Sequence, residues 1–82
     1  VPNATRLEPV RPGHDMAQML AMDRHLELEA VQLYDDALRF AQRFRDEASS
    51  RLFADLLADE ENHLAELDRM LAELSQQETQ HV

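Results

Sequence analysis

The sequence predicts an all-α protein, in which an antiparallel two-helix hairpin pairs with a second chain to form a four-helix bundle. All three prolines and the only glycine lie within the first 13 of the 82 residues, so two long stretches are free of helix breakers. Apolar residues recur at helical spacing in both stretches. Because a chain this short buries only about 60 to 65% of its unfolded surface, one hairpin alone would be marginally stable, and a partner is expected.

The chain divides into three segments in this prediction. Residues 1–13 form an extended arm, because the prolines there hinder regular structure. Residues 14–75 form the helical hairpin, and residues 76–82 form a frayed tail. The hairpin turns near residues 44–47, where the polar sequence "RFRDEASS" interrupts the apolar pattern. The residues suited to cap the second helix there are Asp46, Ser49 and Ser50.

Each predicted helix has an apolar face that is interrupted by ionisable residues. At about 100° per residue, the inward stripe of the first helix consists of Met16, Leu20, Asp23, Glu27, Ala30, Val31, Tyr34 and Leu38. A flank widens this stripe, and it consists of Met19, Leu26, Leu33, Phe40 and Phe44. One neighbouring helix cannot cover so wide a face, so the first helix is expected to contact two or more neighbours. The inward stripe of the second helix consists of Phe53, Leu56, Leu57, Glu60, His63, Leu64, Leu67, Met70, Leu71 and Leu74.

The composition limits the classes of partner. With 17 acidic against 8 basic residues and a formal net charge of -9, the chain is unsuited to nucleic acid or anionic membranes and favours cations. There are no cysteines, so any metal site must be built from Asp, Glu and His. No apolar run approaches the ~20 residues of a membrane span, and no signal peptide is visible, so the cytoplasm is the expected compartment.

Three polar residues on the inward stripes are predicted to meet. For a turn at residues 44–47, Glu27 lies ~24 Å from the hairpin end, Glu60 ~18 Å and His63 ~22 Å. A buried carboxylate needs a cation or a hydrogen-bond donor, and no Lys or Arg lies on either inward stripe near this level. A metal ion is the most economical partner. In the alternative without metal, His63 is hydrogen-bonded to Glu27, which leaves Glu60 unpaired.

The spacing of these residues narrows the kind of metal site. A Glu-x-x-His pair with a Glu on a facing helix is half of the di-iron carboxylate set of ferritin-like bundles, which needs four Glu and two His. Two identical hairpins would supply the whole set. Tyr34 lies two turns along from Glu27 on the same face, where its hydroxyl could bond a ligand carboxylate, although a plain core position is the alternative.

Two stretches of the chain resemble bacterioferritin. "PNATRLEPVRPGHDMAQMLAMDRHLELEAVQLY" and "LLADEENHLAELDRML" are similar to its second half, in register and without a gap through about Leu74. The resemblance implies a ferritin-like bundle, with Glu27 as a terminal iron ligand, Glu60 as a carboxylate that bridges two irons and His63 as a terminal nitrogen ligand. Glu29 also occurs in "LELEA", but it points about 160° away from the inward stripe, so the register selects Glu27.

Two departures from the family pattern are informative. Bacterioferritin carries the Glu followed seven residues later by Tyr in its first half, whereas here Tyr34 accompanies Glu27 in a sequence like the second half. One chain thus combines features of both halves, as expected of a self-pairing half-ferritin. The haem-binding Met of the family directly follows the bridging Glu of its first half, and Glu61 occupies the corresponding position here, so no haem is expected by that mode. The family's short fifth helix is also missing, which argues against the usual cage.

The resemblance implies a ferroxidase that oxidises Fe²⁺ to Fe³⁺ with O₂ or peroxide, for iron storage or detoxification. The expected partners are iron ions and further copies of the chain, as a dimer or an assembly of dimers. Encapsulated ferritins are also two-helix chains, so an encapsulin shell is a further candidate partner and compartment, although no shell-targeting tail is visible. The alternatives are a helical assembly module without catalysis and a structural Zn²⁺ or Mn²⁺ site.

Overall fold

The computed structural model describes residues 11 to 80, which form an antiparallel hairpin of two helices. Helix α1 spans Pro12–Arg43 and helix α2 spans Glu47–Gln80, with a short turn between them. No strand occurs in this part of the chain, so the predicted all-α hairpin is confirmed. Neither described helix has an apolar stretch of the length that a bilayer requires.

The helix boundaries differ from the predicted ones. Helix α1 starts inside the predicted arm, at Pro12, because a proline is well tolerated in the first turn, where its missing N–H would have no helical partner. Helix α2 continues to Gln80, through most of the predicted tail, because "SQQETQ" contains no glycine or proline to stop it. The rest of the arm, residues 1–10, and residues 81–82 lie outside the described residues.

The turn between the helices ends α1 in a Schellman motif. The backbone N–H of Asp46 donates to the carbonyl of Ala41 over 2.9 Å, and that of Arg45 donates to the carbonyl of Gln42 over 3.0 Å. These bonds satisfy two carbonyls that the helix end leaves without partners. They require the left-handed conformation at Arg45, whose φ is 56°.

Asp46 begins α2 as its N-cap. Its carboxylate accepts a hydrogen bond from the hydroxyl of Ser49 over 2.7 Å and another from the backbone N–H of Ser49 over 3.0 Å. These two bonds, the side-chain bond first, hold the pKa of the Asp46 carboxyl below its usual value. Of the predicted capping residues, Asp46 is therefore the cap, and Ser49 is its partner.

Replacing Arg45 by Gly should stabilise the fold. A residue with a Cβ is disfavoured in the left-handed region, and removing that penalty should exceed the added freedom of the unfolded chain, for a net gain of about 0.5 to 1 kcal/mol. Urea unfolding followed by circular dichroism measures the change. Arg43→Gly is the matched control, because Arg43 ends the right-handed helix and its replacement should lower stability. An unchanged or lower midpoint for Arg45→Gly would contradict this account of the turn.

The hairpin core is small and lies along one side of α1. Leu20 and Ala41, each 5% exposed, are the only buried apolar side chains among residues 11 to 77. An ion pair between Arg24 and Asp68 joins the helices beside this core, and since both side chains are partly exposed it adds little stability. Helix α2 covers only part of the wide apolar face of α1, as the width of that face predicts. The flank of that face stays open to solvent in the single chain.

Candidate metal centre

The structure brings the three predicted ligands together between the helices. The His63 Nδ1 atom lies 3.9 Å from Glu27 Oε1 and 3.7 Å from Glu60 Oε2. One ligand atom from each side chain lies within 4.8 Å of the other two. Within the described residues this is the one group of three or more such side chains whose ligand atoms come so close. The cluster therefore has the composition and size of a metal site.

Helical geometry positions each of these side chains. Glu60 and His63 are three residues apart on α2, so they lie on the same face one turn apart. Glu27 reaches the same level from α1, because the tight turn fixes how the antiparallel helices are aligned along their length. All three residues are in the middle of long helices, which makes the arrangement more rigid than a site built on loops.

The burial of the cluster is uneven. The side chains of Glu27 and Glu60 are 26% and 19% exposed, whereas that of His63 is 58% exposed. The Glu27 Oε2 atom is nonetheless buried and has no hydrogen-bond partner among the described groups. Such a carboxylate oxygen is costly unless a cation or donor reaches it. The cluster is thus closed towards the hairpin and open on the side of His63.

The distances do not favour a histidine that merely bonds its neighbours. Both His63 contacts, at 3.9 and 3.7 Å, are longer than a hydrogen bond. The alternative in which His63 satisfies Glu27 without a metal therefore lacks its key contact in the single chain. Two carboxylates and an imidazole are ligands that Fe²⁺ and Fe³⁺ accept, as do Mn²⁺ and Zn²⁺, so the donor set fits a metal ion.

A groove of about 280 Å³ opens beside the cluster. Besides Glu27 and His63, it is lined by two acidic residues, Asp23 and Glu66, and by three apolar ones, Leu26, Leu67 and Met70. The helical period predicts Asp23 on the inward stripe of α1, whereas Glu66 was not among the predicted site residues. The available signal was spacing, since Glu66 follows His63 by three residues and so lies one turn further along the same edge of α2.

The other residues considered from the sequence lie outside the cluster. Tyr34 is half-buried on the face of α1 that carries Glu27, but its hydroxyl has no hydrogen bond to any described residue. Its predicted contact with a ligand carboxylate stays a prediction. Glu29 points to solvent and pairs with His25, with 3.0 Å between Oε1 and Nε2. Glu61 is exposed.

Comparisons with known proteins agree with the resemblance. The model of the ferritin-like domain family matches residues 1–77. A bacterioferritin of Streptomyces coelicolor is 35% identical over 71 residues, which cover 87% of this chain and 42% of the relative. A bacterioferritin of Brucella melitensis is 33% identical over 70 residues, which cover 85% of this chain and 44% of the relative. A bacterioferritin of Rhodobacter capsulatus is 31% identical over 71 residues, which cover 87% of this chain and 44% of the relative.

The matched region is a limited part of these relatives. The chain spans less than half the length of each of the three bacterioferritins. No solved structure gives a significant match.

Proposed function

The chain belongs to the ferritin family, and from that premise we propose that it oxidises Fe²⁺ to Fe³⁺ at a di-iron carboxylate site shared between two subunits, for iron storage or detoxification. The observation that carries the proposal is the buried Glu27 oxygen without a partner, in a cluster whose other members are Glu60 and His63. In this proposal all three are iron ligands, with Glu60 bridging two ions. Iron is here a substrate that enters, is oxidised and leaves.

Sharing between subunits follows from the count of ligands. One hairpin offers two carboxylates and one imidazole, which is half of the four Glu and two His of a di-iron bundle site. His63 is exposed on the side where a second hairpin would complete the set. Four carboxylates from two copies would balance the charge of two divalent ions, which a single hairpin cannot do.

The chemistry requires the residues to hold iron in both oxidation states. Each Fe²⁺ gives one electron, so with peroxide 2 Fe²⁺ + H₂O₂ + 2 H⁺ yield 2 Fe³⁺ + 2 H₂O, and with O₂ the same two electrons and two protons yield H₂O₂. Carboxylate oxygens suit the harder Fe³⁺, while the His63 imidazole is a neutral ligand that adds no charge. Asp23 and Glu66 line the groove through which a cation would reach the cluster.

We expect homo-oligomers built from dimers, in the cytoplasm or inside an encapsulin shell. Haem bound through the residue after the bridging carboxylate is not expected, because Glu61 offers a carboxylate there instead of a thioether.

Titration with Fe²⁺ tests the function directly. The purified protein is titrated without oxygen to count bound ions and is then mixed rapidly with O₂ or peroxide while Fe³⁺ absorbance is recorded. We expect one iron per chain, and therefore two per dimer, and oxidation much faster than in buffer. Zn²⁺ or Mn²⁺ bound in the same number, with no acceleration of Fe²⁺ oxidation, would instead identify a structural metal site. Failure to bind any of these ions would refute a metal centre.

Tyr34→Phe should separate oxidation from binding. If the hydroxyl bonds a ligand carboxylate in the dimer, its loss should leave the number of bound ions unchanged and slow oxidation by about 10-fold. The ring is retained, so packing of the half-buried side chain should not change. The chain has no other tyrosine, which makes the substitution a clean one. Loss of bound iron would show that Tyr34 is itself a ligand. An unchanged rate of Fe²⁺ oxidation would show that Tyr34 only packs in the core.

A further inference from the structure

Basic side chains concentrate at the turn end of the hairpin. Residues 37–54 carry four of the chain's eight basic residues and only two of its 17 acidic ones, whereas the whole chain has a net charge of -9. The four are Arg39, Arg43, Arg45 and Arg51. The hairpin therefore has a locally positive end on an otherwise acidic molecule.

Two of these arginines line one groove. Arg45, in the turn, and Arg51, near the start of α2, face an open groove of about 410 Å³. Neither guanidinium makes an ion pair or a hydrogen bond with a described residue. By contrast, Arg24, Arg39 and Arg69 each pair with a carboxylate. The other residues that line the groove are Gln42, Glu47 and Ser50.

The conformation of Arg45 indicates that its side chain has a use. Its φ of 56° lies in the left-handed region, where glycine costs less free energy. The backbone N–H of Arg45 caps α1, which glycine would do equally well, while its guanidinium bonds nothing in the described part of the chain. A side chain that is kept at an energetic cost, without a contact in the fold, points to a contact outside it.

The donors of the groove suit a phosphate group. Each guanidinium presents a fork of N–H donors that can bond two oxygens of one anion. A carboxylate has two oxygens and occupies one fork, whereas a phosphate has at least three acceptor oxygens and enough charge for two forks. Gln42 adds a neutral amide donor. The hydroxyl of Ser50 is already used, because it donates to the backbone carbonyl of Asp46 over 2.7 Å.

The charge of the molecule favours a small ligand over a long polyanion. A nucleic acid or an anionic membrane would meet the acidic helices beyond the turn and be repelled, while a small anion meets only the locally positive end. Glu47 also lines the groove and opposes any anion there. One arginine alone would only balance Glu47, so both arginines are needed for a net attraction.

We propose that Arg45 and Arg51 bind a small phosphate-bearing anion in this groove, with Gln42 as a further donor. The site lies ~22 Å along α1 from Glu27 and does not depend on the proposed iron chemistry. A partner that covers the exposed apolar flank of α1 would leave the groove open. Gln42 follows Phe40 of that flank by two residues, so it lies about 160° away around the helix.

Titration of the metal-free protein with inorganic phosphate tests the site. Metal is first removed on a chelating resin, because bound iron would itself attract phosphate. At pH 7 and about 0.15 M ionic strength, phosphorus NMR should give a dissociation constant on the order of 1 mM, and the thermal midpoint of unfolding should rise with phosphate concentration. Acetate at the same ionic strength should not raise the midpoint. An absence of phosphate binding, or an equal effect of acetate, would overturn the proposal.

Three substitutions distinguish a defined site from a merely positive surface. Arg51→Gln should weaken phosphate binding at least about 10-fold, because it removes one fork. Arg43→Gln is the matched control, since Arg43 is an exposed arginine of the same end but does not line the groove, and affinity should change less than about 2-fold. Glu47→Gln should tighten binding about 2-fold to 5-fold by removing the opposing charge. Equal losses in Arg43→Gln and Arg51→Gln would refute a defined site.

Arg45→Gly links binding to the strained turn. Without phosphate this variant should be more stable than the wild type, and with phosphate its advantage should shrink, because the wild type gains more from binding. An advantage that phosphate leaves unchanged would remove Arg45 from the site. Pyrophosphate and ATP are further arms of the titration. Tighter binding of either one than of inorganic phosphate would identify a phosphorylated small molecule as the ligand, and the reverse order would identify free phosphate.

Discussion

Glu60→Ala should abolish rapid oxidation of Fe²⁺, with a loss of at least about 100-fold in rate. Glu60 is the most buried member of the cluster, with a side chain 19% exposed, and in the proposed site its carboxylate bridges the two ions. Without the bridge, the ions are no longer held at a common distance for the two-electron step. The measurement is the initial rate of Fe³⁺ formation after rapid mixing, at saturating Fe²⁺ and equal protein concentration.

The control for this change is Glu29→Ala. Glu29 has the same chemistry and lies on the same helix as Glu27, but its side chain is 65% exposed and pairs with His25 on the outer surface. Its removal should be nearly silent, because an exposed ion pair contributes little. A wild-type rate in Glu60→Ala would reject the bridge. Loss of iron binding in Glu29→Ala, with Glu27→Ala unaffected, would instead show that the register taken from the family resemblance is wrong.

Much of the fold could be predicted from the sequence because helices have a fixed rise and period. Counting residues from the polar turn predicted that Glu27, Glu60 and His63 lie at the same height along the hairpin, and the structure brings them together. The helix ends were less predictable. Proline usually interrupts a helix, but Pro12 lies in the first turn of α1, where proline is well tolerated. Arg45 in the left-handed conformation gave no signal, because glycine is the usual residue there.

The candidate site was predictable in its members but not in its surroundings. Periodicity selected Glu27 over Glu29, and the structure places the two as expected. Periodicity could not show that His63 would be more than half exposed, because exposure depends on what covers the open face. The same reason leaves the hydroxyl of Tyr34 without a partner in the single chain. In the proposed dimer, both residues would gain contacts that one hairpin does not contain.

Metal and dimerisation should be thermodynamically linked. Each hairpin holds half of the proposed ligands, so an ion bound at full coordination requires the dimer and shifts the equilibrium towards it. Without metal, the dimer would bring four carboxylates together at the two-fold axis, and their repulsion should weaken the pair. At an ion concentration 100 times its dissociation constant, mass action adds about 2.7 kcal/mol, or about 100-fold in the dimer constant.

Sedimentation at a concentration near the dissociation midpoint measures this linkage. We expect a rise in mass when Fe²⁺ replaces chelator under anaerobic conditions, and a smaller rise in Glu60→Ala and His63→Ala, which lose a ligand but keep the exposed apolar residues of α1. Leu33→Gln is the complementary variant, because it keeps every ligand and removes an exposed apolar side chain of α1. Its dimer should be weaker with and without metal, yet still respond to Fe²⁺. A stable monomer that binds its full complement of iron would contradict the shared site, since all ligands would then come from one chain.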